Sequence, residues 1–196
     1  MSVENKDILI NLLASLAPLS EEERQLLRNV ITRGKYRTKD YILIEGDVCT
    51  NIFFITKGIA RFGLTDDSGA ESTLKFRAEN EFITDYGSFL TNKPSERFIE
   101  AIEDLECLKL DRVALQTIYE NVRYGDRIGR IIAQNLFLEA NQRIENMYKL
   151  TPEERYLRMV NSNGKLLNRI PQSYIASHIG VLPQSLSRIK RRFMTQ

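Results

Sequence analysis

Six side chains near the C-terminus have the types and spacing to read a nucleic acid. Along Pro183-Gln-Ser-Leu-Ser-Arg-Ile-Lys-Arg-Arg-Phe193, a helical period puts Leu186, Ile189 and Phe193 on one face. Gln184, Ser185, Arg188, Lys190, Arg191 and Arg192 fall on the other. A guanidinium can make two parallel hydrogen bonds to a guanine edge, and a carboxamide two to an adenine edge. Each such pair is worth about 1–3 kcal/mol of base discrimination. Arg188 and Gln184 are the candidates for that chemistry, with Ser185 beside them for a base or a phosphate. Lys190, Arg191 and Arg192 lie further along and are expected to meet phosphate, which adds affinity without sequence. Gln172 and Ser173, at the start of the preceding apolar-periodic segment, are candidates for phosphate too.

Reading a groove requires a rigid mount. Ile175, Ala176 and Ile179 give the preceding segment one apolar face, and Ala176 is small enough for a close helix crossing. Gly180 sits where the chain must turn sharply, a place that favours positive φ. Pro183 suits the first turn of a new helix. Helix, glycine turn and basic helix together predict a helix-turn-helix, which places its second helix in a DNA major groove. An amphipathic hairpin with a basic rim would share the pattern but not its agreement across apolar face, turn and charge. Charge supports the DNA reading. Residues 151–196 hold eight Lys/Arg against two Asp/Glu, a net +6; with a total of +2, the first 150 residues carry −4. A basic terminal module on an acidic body suits a polyanion.

Upstream, the texture changes twice. Ile8, Leu9, Leu12, Leu13 and Leu16 recur at helical spacing within 5–31. After Pro18, Ser20 and Glu23 form a capping box for a second helix with Leu26, Leu27, Val30 and Ile31 on its apolar face. From Lys35 to about Leu110, short apolar runs alternate with turns. The runs are Tyr41–Ile44, Ile52–Ile55, Ile59–Phe62, Ser72–Phe76, Phe98–Ile102 and Glu106–Leu110; Asp66-Asp-Ser-Gly69 is a hairpin turn. Such spacing predicts a β-sandwich or barrel.

Residues 111–149 return to helical spacing. One stripe holds Ile128, Ile131, Ile132, Asn135 and Leu138; a second holds Ala133, Phe137, Ala140, Ile144 and Met147. A helix apolar on two sides has two surfaces to bury. One can lie on the barrel, and the other can meet a second copy of the chain. Thr151-Pro-Glu-Glu154 then caps a new helix. The expected division is a barrel with N-terminal helices over 1–112, a dimer helix over 113–149 and a helix-turn-helix domain over 150–196. The fold class is α+β.

Taken whole, the chain resembles the Crp/Fnr family of bacterial transcription regulators. Ile44-Glu-Gly-Asp47 and Ile52-Phe-Phe-Ile-Thr-Lys-Gly58 are similar to that family's cyclic-nucleotide-binding fold, the long helix to its dimerisation helix and the tail to its DNA-reading module. The resemblance implies a homodimer on palindromic double-stranded DNA, with RNA polymerase as a further partner and an effector in the barrel. It puts Pro183, Gln184, Ser185 and Arg188 on base-contacting positions. Arg188 agrees with the family pattern; Pro183 stands for a common arginine and Gln184 for a common glutamate. The chain stops three residues after Phe193, so the C-terminal wing of many members is expected to be reduced or absent.

The resemblance also locates a phosphate cassette at Phe82-Ile-Thr-Asp-Tyr-Gly-Ser-Phe-Leu-Thr-Asn-Lys-Pro-Ser-Glu-Arg97. Thr84 stands for the family's Gly and Asp85 for its ribose-binding Glu. Ser95 falls on the phosphate-binding Arg position, with Arg97 two residues on. Asn141, on the long helix, falls near the base-contacting position. Without the matched arginine a buried phosphate is left unpaired, and truncating one partner of a buried charge pair costs about 2–5 kcal/mol. The expectation is therefore another small ligand, or none, rather than cyclic AMP.

Other chemistries lack their residues. The sequence has two cysteines, Cys49 and Cys107, too few for an iron–sulfur cluster, and a single histidine, His178, outside the barrel. No metal site, phosphate-binding glycine loop or Gly-x-Ser-x-Gly elbow is present, so an enzyme is not expected. No apolar run approaches a membrane span, and Met1 to Leu16 carries Glu4 and Asp7 where a signal peptide would be apolar. A cytoplasmic protein with reduced cysteines is expected. Two alternatives remain: a regulator that works without an effector, and a ligand-binding or interaction protein that does not read DNA.

Overall fold

The computed structural model describes residues 4–194. Two helices open it, α1 (Glu4–Leu16) and α2 (Glu21–Val30). The predicted capping box is present. The Glu23 amide donates to Ser20 Oγ at 3.2 Å, and the Ser20 amide donates to the Glu23 carboxylate at 2.7 Å. Both helices spend their apolar faces on one core, where Leu9, Ile10, Leu13, Leu27 and Ile31 meet Phe54, Leu108 and Leu110 from the strands.

The strands are β1 (Thr32–Tyr36), β2 (Tyr41–Leu43), β3 (Asn51–Lys57), β4 (Ala60–Thr65), β5 (Glu71–Arg77), β6 (Phe82–Ile83), β7 (Phe98–Ala101) and β8 (Leu105–Asp111). They form two four-stranded sheets, ordered β1-β8-β3-β6 and β2-β7-β4-β5. β3 pairs antiparallel with β8, Phe53 opposite Lys109 and Phe54 opposite Leu108. Adjacent side chains point to opposite faces. Phe54 and Leu108 therefore join the helical core, while Phe53 lies edge-on to Tyr36. The predicted turn between β4 and β5 closes on Asp66, whose Oδ1 accepts from the Ser68 amide, the Ser68 hydroxyl and the Ala70 amide.

Three short elements were not expected. β1 reads Thr-Arg-Gly-Lys-Tyr and shows little apolar alternation, because it is an edge strand with Arg33 and Lys35 exposed. β6 has two residues, and α3 (Tyr86–Thr91) six, too few for a period to register. The helical stretch expected over 111–149 is broken into α4 (Arg112–Asn121) and α5 (Gly125–Lys149). Val122 is extended, and a Cβ on Gly125 would come within 2.3 Å of the Ile118 carbonyl oxygen. Only glycine permits so close an approach.

α6 (Pro152–Leu167), α7 (Gln172–Ile179) and α8 (Pro183–Met194) complete the chain. Thr151 caps α6, accepting the Glu154 amide, with Pro152 in the first turn as expected. The chain divides into two compact units. One is 1–62 with 76–136; the other is 63–75 with 137–196. α5 is shared between the two units, and the β4–β5 hairpin end groups with the C-terminal helices. No helix among the described residues is long and apolar enough to cross a membrane.

Candidate nucleic-acid interface and barrel cassette

The second unit holds the candidate DNA reader. Ile175, Ala176 and Ile179 of α7 and Leu186 and Ile189 of α8 are buried, together with Tyr156, Leu167 and Ile170. The Tyr156 and Phe193 rings stack 6.3 Å apart. Gly180 ends α7 with φ +76°, in the left-handed region that the turn requires. These contacts fix α8 and turn its polar face outward. Pro183, Gln184 and Arg188 are exposed, and Ser185 is half-buried. Among the described residues Arg188 makes no hydrogen bond or ion pair.

The expected phosphate contacts fall into two groups. Lys190 Nζ donates to Gln172 Oε1 at 2.9 Å, so these two are already joined across the helix pair. Arg192 lies 3.5 Å from the Glu153 carboxylate. Ser173 and Arg191 are exposed. Gln172 and Ser173 open α7, and Lys190, Arg191 and Arg192 lie in the later turns of α8.

Sequence reasoning missed a contact on the other side of α7. Ser177 Oγ accepts the Thr73 amide of β5 at 2.9 Å and lies 3.3 Å from the Glu71 carbonyl oxygen. Next to it, burial brings the His178 imidazole down to about 4, with the Arg143 guanidinium adding to the shift and backbone hydrogen bonding at Thr73 and Leu74 opposing it. Residues 63–75 therefore pack on the reader through α7 and leave α8 open. Partners a hundred residues apart leave no local signal.

The apolar stripe read in the sequence as a dimer face falls on α5, and its first residues pack within the chain. Ile128 is buried in the barrel's own core, and Ile132 packs on it. Ile131 is half-buried and Asn135 exposed. The exposed apolar side chains come later: Phe137, Leu138, Ile144, Met147 and Tyr148, each more than half exposed. They combine Leu138 with the second stripe, because the first turns of α5 are spent on the barrel.

Four of the six expected effector residues meet around the start of α3. Thr84, Asp85 and Ser95 are buried, and Arg97 is half-buried. Asp85 caps α3: its Oδ1 accepts the Gly87 and Ser88 amides at 3.2 and 3.4 Å. The Ser95 hydroxyl donates to Oδ2 at 2.6 Å, and Arg97 NH1 lies 3.6 Å from Oδ1. Thr84 donates to the Asn51 carbonyl at 3.0 Å. Phe82 is not part of the cluster; it packs on Phe54 at 5.0 Å in the helical core. Asn141 is exposed on α5 in the other unit.

A buried charge pair was not foreseen. Arg61 on β4 and Glu100 on β7 are bonded to one another, and the Arg61 guanidinium lies over the Phe98 ring at 4.7 Å. The available signal was a charged residue inside each of two apolar strand runs. Cys49 and Cys107 are buried free thiols, and burial pushes Cys107 up to about 11. Among the described residues no group of three or more His, Cys, Asp or Glu is placed to hold a metal ion.

Two sheets bearing a short helix at the cassette, then a long helix and a helix-turn-helix, define a class: a cyclic-nucleotide-binding-type domain joined to a helix-turn-helix unit. Residues 33–122 match the cyclic nucleotide-binding domain family. The fold is that of the Crp/Fnr transcription regulators. FixK2 from Bradyrhizobium japonicum aligns with TM-score 0.73 at 16% identity, over 85% of this chain and 86% of that one. A transcriptional regulator of the crp/fnr family from Eubacterium rectale aligns with TM-score 0.68 at 17% identity, over 90% and 84%. The Thermus thermophilus catabolite activator protein aligns with TM-score 0.57 at 22% identity, over 93% and 86%. No curated protein matches the chain.

The cassette lacks one group that the cyclic nucleotide implied by the domain family would need: neutral Ser95 stands where the resemblance places the phosphate-binding arginine, and Arg97 faces Asp85. A carboxylate offers about four acceptor positions. On Asp85 the two amides and the Arg97 guanidinium fall on Oδ1 and the Ser95 hydroxyl on Oδ2, so the carboxylate is largely engaged within the chain.

Proposed function

We propose that this chain is a homodimeric transcription regulator that reads a palindromic DNA site through α8. One observation carries the reading: Arg188 projects from a helix anchored by buried Leu186 and Ile189, exposed and with its guanidinium unspent. Arg188 makes the paired contact to guanine, Gln184 and Ser185 contact neighbouring bases, and Pro183 packs against the groove wall. Lys190, Gln172, Arg191, Arg192 and Ser173 bind backbone phosphate and set the register. Because Lys190 and Arg192 have carboxamide and carboxylate partners in the free protein, they exchange these for phosphate on docking.

The dimer follows from α5. Phe137, Leu138, Ile144 and Met147 recur at helical spacing and lie open in the single chain. A second copy covers them and places two recognition helices about one DNA turn, some 34 Å, apart. RNA polymerase is the downstream partner of a regulator of this kind, and the cytoplasm its place of work.

Selection from a randomised duplex library by the full chain, at stated salt, tests the reading. Enrichment of a two-fold symmetric motif with half-sites about 10 bp apart is expected. Recovery of no motif overturns it. Sedimentation at twice 22.7 kDa is the expected mass of the free protein; a monomer at high concentration removes the paired-reader geometry.

A further inference from the structure

We infer that Leu182, the residue before α8, packs on a thymine methyl in each half-site, so that the DNA site carries a T·A pair at a fixed distance from the guanine read by Arg188. The inference rests on the DNA-reading proposal and adds to it one further base pair and the residue that selects it.

Leu182 stands where neither the helix nor the core has a use for a leucine. Its carbonyl accepts the Ser185 amide at 2.9 Å and the Leu186 amide at 3.2 Å. That makes it the N-cap of α8, a position that favours Ser, Thr, Asp or Asn, whose side-chain oxygen takes an amide of the first turn. Ser20, Asp85, Asp111 and Thr151 do this for α2, α3, α4 and α6. A leucine has no such oxygen. Packing does not compensate. By spacing, Leu182 would extend the stripe of Leu186 and Ile189, yet those two are buried and Leu182 is 69% exposed. Of the large apolar side chains described over 150–193, the other exposed one is Val160, at 37%. Half-buried Val181 already holds the position from which an apolar side chain staples onto Leu186. A local rule broken with no gain to the fold points to a function.

The exposed leucine is at the end of α8 that meets the bases. A recognition helix contacts base edges with its N-terminal residues. Pro183 and Gln184, beside Leu182, are exposed as well. In the major groove the 5-methyl group of thymine is the feature that apolar side chains recognise. Leucine has no donor or acceptor for the edge of guanine, adenine or cytosine, nor for a phosphate oxygen. Packing on a sugar would carry no sequence. Leu182 precedes Arg188 by six residues, about 9 Å along a helix axis. Base pairs stack about 3.4 Å apart, so the thymine lies about two to three base pairs from the guanine.

The test uses the full chain and the duplex selected from the randomised library. Each thymine of a half-site is replaced in turn by uracil, which removes one methyl and keeps every hydrogen-bonding group. Gel shifts at one salt concentration should find one thymine per half-site, at that spacing, whose replacement weakens binding about four-fold, the worth of one buried methyl. Leu182→Ser should bind the thymine and uracil duplexes alike, while its Tm stays level with the wild type or rises, because serine caps α8. A leucine with a merely structural role would do the reverse: Tm would fall and the loss of the methyl would still be felt. Should Leu182→Ser fail to fold, Leu182→Gly, which the N-cap position also accepts, takes its place. Three results overturn the inference: a selected motif with no methyl-sensitive thymine, a sensitivity that survives in the variant, and a variant that weakens all duplexes alike with its thymine preference intact. In each of these the DNA-reading proposal stands, because a motif was selected. Selection of no motif defeats that proposal and this inference with it.

Discussion

The cassette and the recognition helix are made from the same kinds of side chain, and they use them in opposite ways. Around α3, carboxylate, hydroxyl and guanidinium are turned on one another: Asp85 takes Ser95 and faces Arg97, and Thr84 takes the Asn51 carbonyl. On α8, Gln184 and Arg188 are held outward by a buried strip of Leu186 and Ile189. Polar groups that complete each other stabilise a fold but have nothing left to offer a ligand. Exposed groups on a rigid mount add little to stability and are available for recognition. The likeness to the cyclic nucleotide-binding domain therefore lies in the region whose polar groups face one another, and the proposed DNA contacts in the region whose polar groups face outward.

The contrast is broken most forcefully in the barrel. Arg61 and Glu100 are both nearly inaccessible, with side-chain exposures of 3% and 6%. Glu100→Ala leaves a buried guanidinium without its carboxylate and should cost about 3–5 kcal/mol of stability. Replacing both residues by apolar ones of similar volume should cost far less. Urea titration of the single and double variants checks the difference. If the single variant loses under about 1 kcal/mol, water reaches the pair and the barrel is less closed than described.

Next in size is the open region. Arg188→Ala should remove about 1–3 kcal/mol of preference for one base pair per half-site while leaving Tm nearly unchanged. Lys190→Ala should weaken all sequences alike and lower the salt slope by about 1 per protomer. Competition gel shifts at two salt concentrations separate them. Equal behaviour of the two variants would remove the distinction between base reading and phosphate contact along α8.

Legibility in the sequence followed the range of the interactions. The helix-turn-helix is legible because its signals are local: Ile175, Ala176, Gly180, Pro183 and Leu186 lie within a dozen residues, and each acts on its neighbours. The capping boxes at Ser20 and Thr151 span three residues and were equally plain. The same applies to six of the strands. What was hidden depends on partners far along the chain. Edge strand β1 is specified by β8, about seventy residues away. Asp85 and Ser95 could be placed at the cassette, but not the fact that they would satisfy each other. The break before Gly125 turns on a close backbone approach to Ile118, which periodicity does not register. Ile128 followed the expected apolar stripe, yet the stripe alone did not say which surface would claim it.

A smaller effect tests where the closed kind of contact meets the reader. The His178 imidazole on α7 is down at about 4 in the folded chain, against an ordinary value of 6.5, chiefly through burial. Arg143 and Arg155 oppose its protonation, while the backbone at Thr73 and Leu74 favours it. The unfolded chain therefore binds more protons between pH 6.5 and 4. Stability is fully present above pH 6.5 and is lost as pH falls towards 4, by at most about 1.4 kcal/mol per pH unit. His178→Gln should flatten that limb of the stability profile. A limb that survives the substitution assigns it to carboxylates elsewhere.

The smallest effect is expected beside it, at Ser177. Its hydroxyl receives the Thr73 amide and reaches the Glu71 carbonyl, joining the hairpin end at 63–75 to α7. Ser177→Ala leaves the Thr73 amide without its acceptor and should cost about 0.5–1.5 kcal/mol. Hydrogen exchange gives the sharper readout: faster exchange at Thr73 than in the wild type, with α8 and its DNA contacts unaltered in base preference. That outcome keeps the two kinds of region separate, since a closed contact on the back of α7 is lost without disturbing the open face of α8. A changed base preference in Ser177→Ala would mean that the hairpin helps to set the position of the recognition helix. The reader would then depend on 63–75 for more than stability, and the contrast between closed and open regions would have to be redrawn with the hairpin as part of the reader.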